Sequence, residues 1–203
     1  MKKFVVILAV LILLAGSVFG VETHVIKVRT TVEAKNPTFI LKAGLTPESF
    51  DRAVSDDDSN NTLGWETVEK SIKEEDVVVF FEIVQKGDAR QSGEKYSLTI
   101  EASEMTLKYN EDHSALSSDT DYKTTKGKIS DITDITPSNG GKAIVSVSSV
   151  STTPKGIATI EAEYNGRVED GTPIAKFTVT WPKDINAPDG IYQASVVLKV
   201  SQQ

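Results

Sequence analysis

The chain has 203 residues, with 22 Lys and Arg against 29 Asp and Glu, for a net charge of −7. That length fits one domain or two, and 39% hydrophobic with 25% charged residues excludes a polytopic membrane protein and a disordered polymer alike. The acidic balance argues against nonspecific binding to nucleic acid or anionic lipid, because both require a cationic face. Cysteine is absent and the only histidines are His24 and His113. Thiol catalysis, disulfide staples and the usual zinc sites are therefore not expected. Nor is a lipoprotein anchor, which requires an N-terminal cysteine. The expectation is a folded, exported protein that is not an enzyme and carries no cofactor or metal.

Met1-Lys2-Lys3 forms a short positive region, followed by the apolar run Phe4 to Ala15 and then Gly16, Ser17, Val18, Phe19 and Gly20. Val18 and Gly20 stand at the small-residue positions of a signal-peptidase site, which predicts cleavage before Val21. The apolar run of 12 residues is short of the roughly 20 that a spanning helix needs. Residues 1–20 are thus read as a signal peptide, with no membrane span after cleavage. Losing Lys2 and Lys3 leaves 20 basic against 29 acidic residues, a net charge of −9.

Period-2 alternation dominates from Val21 onward. In the stretch His24 to Ala34, Ile26, Val28, Thr30, Val32 and Ala34 share one face, with Lys27, Arg29, Thr31 and Glu33 on the other. Asn36-Pro37 breaks that strand, and Thr38 to Lys42 resumes as a second. Thr46-Pro47-Glu48 carries the marks of a helix start and predicts a short helix to about Val54. Ser55 to Asn61 is a polar loop. Trp65 to Glu75 fits either a second short helix or an irregular edge.

Val77 to Val84 reads as a strand buried on both faces. In the next strand Tyr96, Leu98, Ile100 and Ala102 face inward, and Thr106 to Tyr109 adds another piece. Asn110 to Asn139 is polar and reads as a long loop or a pair of edge hairpins. Ala143 to Val150, Ile157 to Tyr164 and Ile174 to Trp181 are three further strands. After Ala187-Pro188-Asp189-Gly190 comes the clearest strand, with Tyr192, Ala194, Val196, Leu198 and Val200 on one face. Eight or nine short strands with no β-α alternation predict an all-β chain: an antiparallel, immunoglobulin-like β-sandwich with one or two short helices. No linker divides residues 21–203, which are read as a single domain.

Chemistry-bearing constellations are few. Asp56-x-Asp58-x-Asn60 has the spacing of the first ligands of a calcium loop, but Asn61 and Thr67 occupy the positions that need glycine and a bidentate glutamate. His113 lies among Asp112, Ser114 and Asp119 in ordinary loop composition, and no G-x-S-x-G elbow occurs. Trp181 and Tyr192 fall on apolar faces, which predicts core packing. Trp65, after a glycine and beside the acidic loop, is the better candidate for an exposed ligand contact.

The opening of the expected mature chain, Val21-Glu22 followed by Ile26, Val28, Thr30 and Val32, then Pro37 and the apolar Phe39 to Leu41, resembles the N-terminus of major fimbrial subunits of the alternate chaperone-usher class, the cysteine-free pilins of colonisation-factor and cable type. The closing Gly190-Ile191-Tyr192 and the strand to Val200 are similar to the terminal strand of those pilins. Lys27 and Arg29 stand where those pilins carry small polar residues. The match spans about 20 residues at the front and 12 at the back.

The resemblance implies a fibre subunit exported through the periplasm to the cell surface, polymerising head to tail with other copies of itself. It also implies a periplasmic chaperone and an outer-membrane usher as partners, with adhesion as the purpose. Within 21–35, Ile26, Val28, Thr30 and Val32 would form the donor face, and Tyr192, Ala194, Val196, Leu198 and Val200 an edge of the accepting groove. Physically, an extended segment supplies main-chain hydrogen bonds to an open sheet edge while alternate side chains fill pockets. The same alternation equally suits a strand that pairs within its own sandwich. The chain would then be a monomeric exported binding module, recognising a surface ligand through Asp56 to Trp65 and Asn110 to Asn139.

Overall fold

The structure, a computed structural model, describes residues 25–33, 39–50, 62–110, 116, 122–135, 138–139, 142–151 and 156–203. The expected signal peptide at 1–20, His24, the expected break at Asn36-Pro37, the acidic segment 56–61 and His113 lie outside these residues. Among the described residues there are fourteen strands: β1 (Val25–Glu33), β2 (Phe39–Gly44), β3 (Thr62–Glu69), β4 (Val77–Gln85), β5 (Lys95–Ala102), β6 (Glu104–Tyr109), β7 (Lys123–Lys126), β8 (Lys128–Asp134), β9 (Ser138–Asn139), β10 (Lys142–Ala143), β11 (Val145–Ser151), β12 (Ile157–Tyr164), β13 (Pro173–Trp181) and β14 (Ile191–Gln202).

Twelve of them build two sheets. The larger runs β11-β12-β5-β14-β1-β3, with β6 added to β14 and β7 to β6; the smaller runs β2-β4-β13-β8, and β9 with β10 forms a separate pair. Every pairing is antiparallel except β1 with β14.

Alternation dictates which side chains meet between the sheets. Tyr96, Leu98, Ile100 and Ala102 of β5 are all buried, as are Tyr192, Ala194, Val196 and Leu198 of β14, while Val200 is half-buried. They share one hydrophobic cluster with Phe39, Leu41, Val79, Phe81, Ile83, Phe177, Val179 and Trp181 of the smaller sheet. Phe81 and Phe177, opposite in register, stack at 4.9 Å. Phe39 meets Tyr96 of the other sheet edge-on at 5.4 Å, an offset geometry favoured by the ring quadrupoles.

Several expectations are corrected. No helix occurs among the described residues. Thr46-Pro47-Glu48 begins a tight turn instead, in which the Ser49 N–H donates to the Thr46 carbonyl at 3.4 Å. Proline favours the second position of such a turn as much as the first position of a helix, so the two share a signal. Of the two readings of Trp65 to Glu75 the helix does not form: Trp65 lies in β3, an edge strand of the larger sheet, followed by a turn in which the Ser71 carbonyl accepts from the Glu74 and Glu75 N–H groups at 3.1 and 3.2 Å. Part of 110–139 forms β7 and β8, the latter an edge of the smaller sheet paired with β13. The outer face of β4 is only half-buried at Val78 and Phe80, so this strand is covered on both sides only toward its end.

One joint holds the larger sheet together. The twelve residues of β14 pair first with β6, at Ile191–Gln193, and then with β5, at Val196–Gln202. Ser103, between β5 and β6, bridges the change. Its N–H donates to the Ser195 carbonyl at 2.9 Å, and its Oγ accepts the Ser195 N–H at 2.9 Å while donating to the Glu104 carbonyl at 2.8 Å. Its carbonyl accepts from Trp181 Nε1 at 2.8 Å, which clips the smaller sheet to the larger. Gly127 passes directly over that indole: a Cβ there would stand 2.5 Å from Val179 Cγ1 and 2.8 Å from the Trp181 ring.

Two substitutions test this joint in urea titrations. Gly127→Ala forces a methyl group into packed side chains and is expected to lower stability by roughly 1–3 kcal/mol. Ser103→Ala leaves the Ser195 N–H without its acceptor and is expected to lower it by about 1–3 kcal/mol. Unchanged midpoints in both would mean that the joint contributes nothing.

Candidate functional site

Of the fourteen strands, β1 combines an unusual position with an unusual direction. It lies between β14 and β3, so both of its edges are bonded. With β14 it runs parallel and unbroken from Ile26 opposite Tyr192 to Glu33 opposite Lys199. With β3 it runs antiparallel from Val25 opposite Glu69 to Arg29 opposite Trp65, and the register shifts before Thr31 meets Thr62.

The inward face follows from the alternation. Ile26 is 0% exposed, Val28 1% and Thr30 1%. Burying the first two contributes about 1.5–3 kcal/mol each. Val32 continues the series in register with Leu198. The four residues expected to form a donor face therefore lie directly along Tyr192, Ala194, Val196 and Leu198 of the expected accepting strand, and they do so within one chain.

Thr30 is the exception to an apolar series. Its Oγ1 is buried and has no hydrogen-bond partner. A buried hydroxyl without a partner is unfavourable by about 1–3 kcal/mol. Composition conceals this, because threonine is a favourable strand residue wherever its hydroxyl reaches water or an acceptor.

A second polar cluster lies at the start of β5. The Arg90 guanidinium sits 5.5 Å from the centre of the Tyr96 ring, and its Nη1 lies 3.6 Å from Glu94 Oε2. The Tyr96 hydroxyl donates to the same carboxylate oxygen at 2.8 Å, and the Gln91 N–H donates to the other at 2.7 Å. Burial pushes the Glu94 carboxyl up, but the Gln91 amide, the Tyr96 hydroxyl and the Arg90 charge together outweigh it and hold it below its ordinary value.

Burial, then the hydrogen bond to Glu94, pushes Tyr96 up to about 12. Tyr122 reaches about 12 chiefly through its hydroxyl, which donates to Asp184 Oδ2 at 2.6 Å. Burial also raises Tyr164 and Tyr192, and the latter donates to the Pro188 carbonyl at 2.6 Å. Raised values keep these hydroxyls protonated: those of Tyr96, Tyr122 and Tyr192 serve as donors, whereas that of Tyr164 is buried without a partner.

On the outer face of the smaller sheet, Pro47, Phe50, Phe80, Asp131, Lys176 and Thr178 line a shallow groove of about 270 Å³. Asp131 adopts φ 54° where β8 bulges against β13, a conformation that aspartate tolerates better than most residues. Lys176 Nζ lies 4.8 Å from the centre of the Phe50 ring and donates to the Pro47 carbonyl at 3.4 Å.

Among the described residues there is no group of three or more potential metal ligands, and no helix long and apolar enough to cross a membrane. No family model matches the chain, and no curated protein matches it in sequence.

The tyrosines set a pH dependence. A folded-state value above the unfolded one gives stability that is fully present below about pH 10 and is lost as pH rises toward 12. The urea midpoint of the wild type should therefore fall between pH 9 and pH 11.5. The fall should be smaller in Tyr122→Phe, which removes one of the titrating hydroxyls. An equal fall in both would dissociate Tyr122 from the effect.

Proposed function

We propose that this chain is a structural subunit of a cell-surface fibre, polymerising when its N-terminal strand enters the sandwich of the next copy. The observation that carries the reading is the seat of β1: a strand inserted between β3 and β14, with Ile26, Val28 and Thr30 buried on its inward face. A strand held in this way makes the same ladders and fills the same pockets whether it comes from its own chain or from another. Exchange between copies builds a head-to-tail contact that does not close on itself, and such contacts grow filaments.

The resemblance of the first and last strands to cysteine-free pilins supports the same reading. It brings with it an immunoglobulin-like sandwich, export through the periplasm, a chaperone, an usher and a role in adhesion. On this reading the protein has no catalytic activity.

A second reading follows from a specific observation, the eight-residue unbroken register of β1 with its own β14. If that pairing is permanent, the chain is a monomeric exported binding module that presents its loops to a surface ligand.

Electrophoresis of the exported mature protein separates the two. For the fibre subunit, unheated samples in SDS give a ladder that collapses to one band on boiling, because non-covalent strand exchange is kinetically locked but not covalent. A single monomer band in both lanes, from protein that still melts cooperatively in solution, supports the binding module and ends the fibre reading.

A further inference from the structure

We propose that Thr30 is a built-in weak point that lets β1 leave its slot while the rest of the sandwich stays folded. Two independent observations meet at this residue. Its hydroxyl is buried, with 1% of the residue exposed, and bonds to nothing. The ladder between β1 and β3 loses its register between Arg29 and Thr31, so one edge of β1 is irregular where the hydroxyl is unsatisfied. Ile26 and Val28, earlier on the same face, are satisfied by apolar burial and by regular pairing on both sides.

The closed state thus carries a penalty that disappears on opening, when water reaches the hydroxyl. The penalty acts on β1 and not on the fold as a whole. The strands β5, β12 and β4 make no ladder with β1, so they keep their pairings when it departs. Among the described residues β3 pairs with β1 alone, and it opens with it. The opening unit is therefore β1 together with β3, a local event with a free energy below that of global unfolding. A valine at position 30 would preserve the side-chain shape, remove the unsatisfied group and complete the apolar series Ile26, Val28, Val32.

This deepens the fibre-subunit reading and rests on it only for its use, since a strand that must be exchanged has to come out. The test is native-state hydrogen exchange on the full mature monomer, comparing wild type with Thr30→Val and Thr30→Ser. In the wild type, amides of β1 and β3 should exchange faster than those of β5 and β12. Thr30→Val should slow exchange in β1 and β3 by roughly tenfold or more, leaving β5 and β12 unchanged, whereas Thr30→Ser, which keeps the hydroxyl, should show no such slowing.

If Thr30→Val does not fold, Thr30→Ala against Thr30→Ser makes the same comparison, with slower exchange in β1 expected for alanine. Exchange in β1 that is unchanged or faster without the hydroxyl overturns the proposal, as does slowing that is uniform across all strands. Failure of the fibre reading is recorded separately, by the absence of an SDS ladder from the wild type, and does not alter these exchange rates.

Discussion

The larger sheet depends on the main chain of β14. One edge of this strand serves β6 and then β5; the other serves β1 along eight consecutive residues. A buried peptide group must find a partner, and on this strand three others, β1, β5 and β6, supply them. The Ser103 joint makes the arrangement possible. Without a residue that satisfies Ser195 through both its backbone and its hydroxyl, the handover from β6 to β5 would leave polar groups open beside the core. Gly190 fulfils a similar condition at the start of the strand. It adopts φ 143°, and a Cβ there would come within 2.5 Å of the Tyr109 carbonyl, so β6 approaches closely only because the side chain is missing.

The sequence makes the strands legible wherever one face is apolar and the other polar. In β5, β12 and β14 the buried positions are the alternating ones. Legibility ends where composition and partner disagree. The strand β8 carries Ser130, Asp131, Thr133 and Asp134, and its composition fits a loop as well as an edge strand; it is an edge strand because β13 offers it a partner. Val68 and Ile72 stand four apart as in a helix, yet Val68 pairs opposite Ile26 in β3, and Ile72 reaches the core from the turn beyond that strand. The turn at Thr46 carries the residues of a helix start because the two local structures use the same chemistry. At Gly44 a Cβ would strike the Ser49 carbonyl, so the chain folds back there instead of winding onward.

The candidate site was legible in its members and not in its geometry. The faces of β1 and β14 could each be read from alternation, but alternation has no direction. Ile26, Val28, Thr30 and Val32 present the same face whichever way the strand runs and whichever chain it enters. The parallel pairing with β14 belongs to the folded chain and has no counterpart in the pattern of the strand itself. The lack of a partner for the Thr30 hydroxyl is likewise a property of its surroundings and leaves no mark in the local sequence.

The two tryptophans occupy positions that divide the molecule optically. Trp181 is fully buried, with its indole nitrogen bonded to a carbonyl of the opposite sheet, so its emission reports on the core between the sheets. Trp65 belongs to β3, opposite Arg29, in the strand that has β1 as its one neighbour in the sheet among the described residues. Replacing Trp65 with phenylalanine leaves Trp181 as the single tryptophan. Its emission then tracks the packing between the two sheets. Separation of the sheets can therefore be watched in unlabelled protein, in real time.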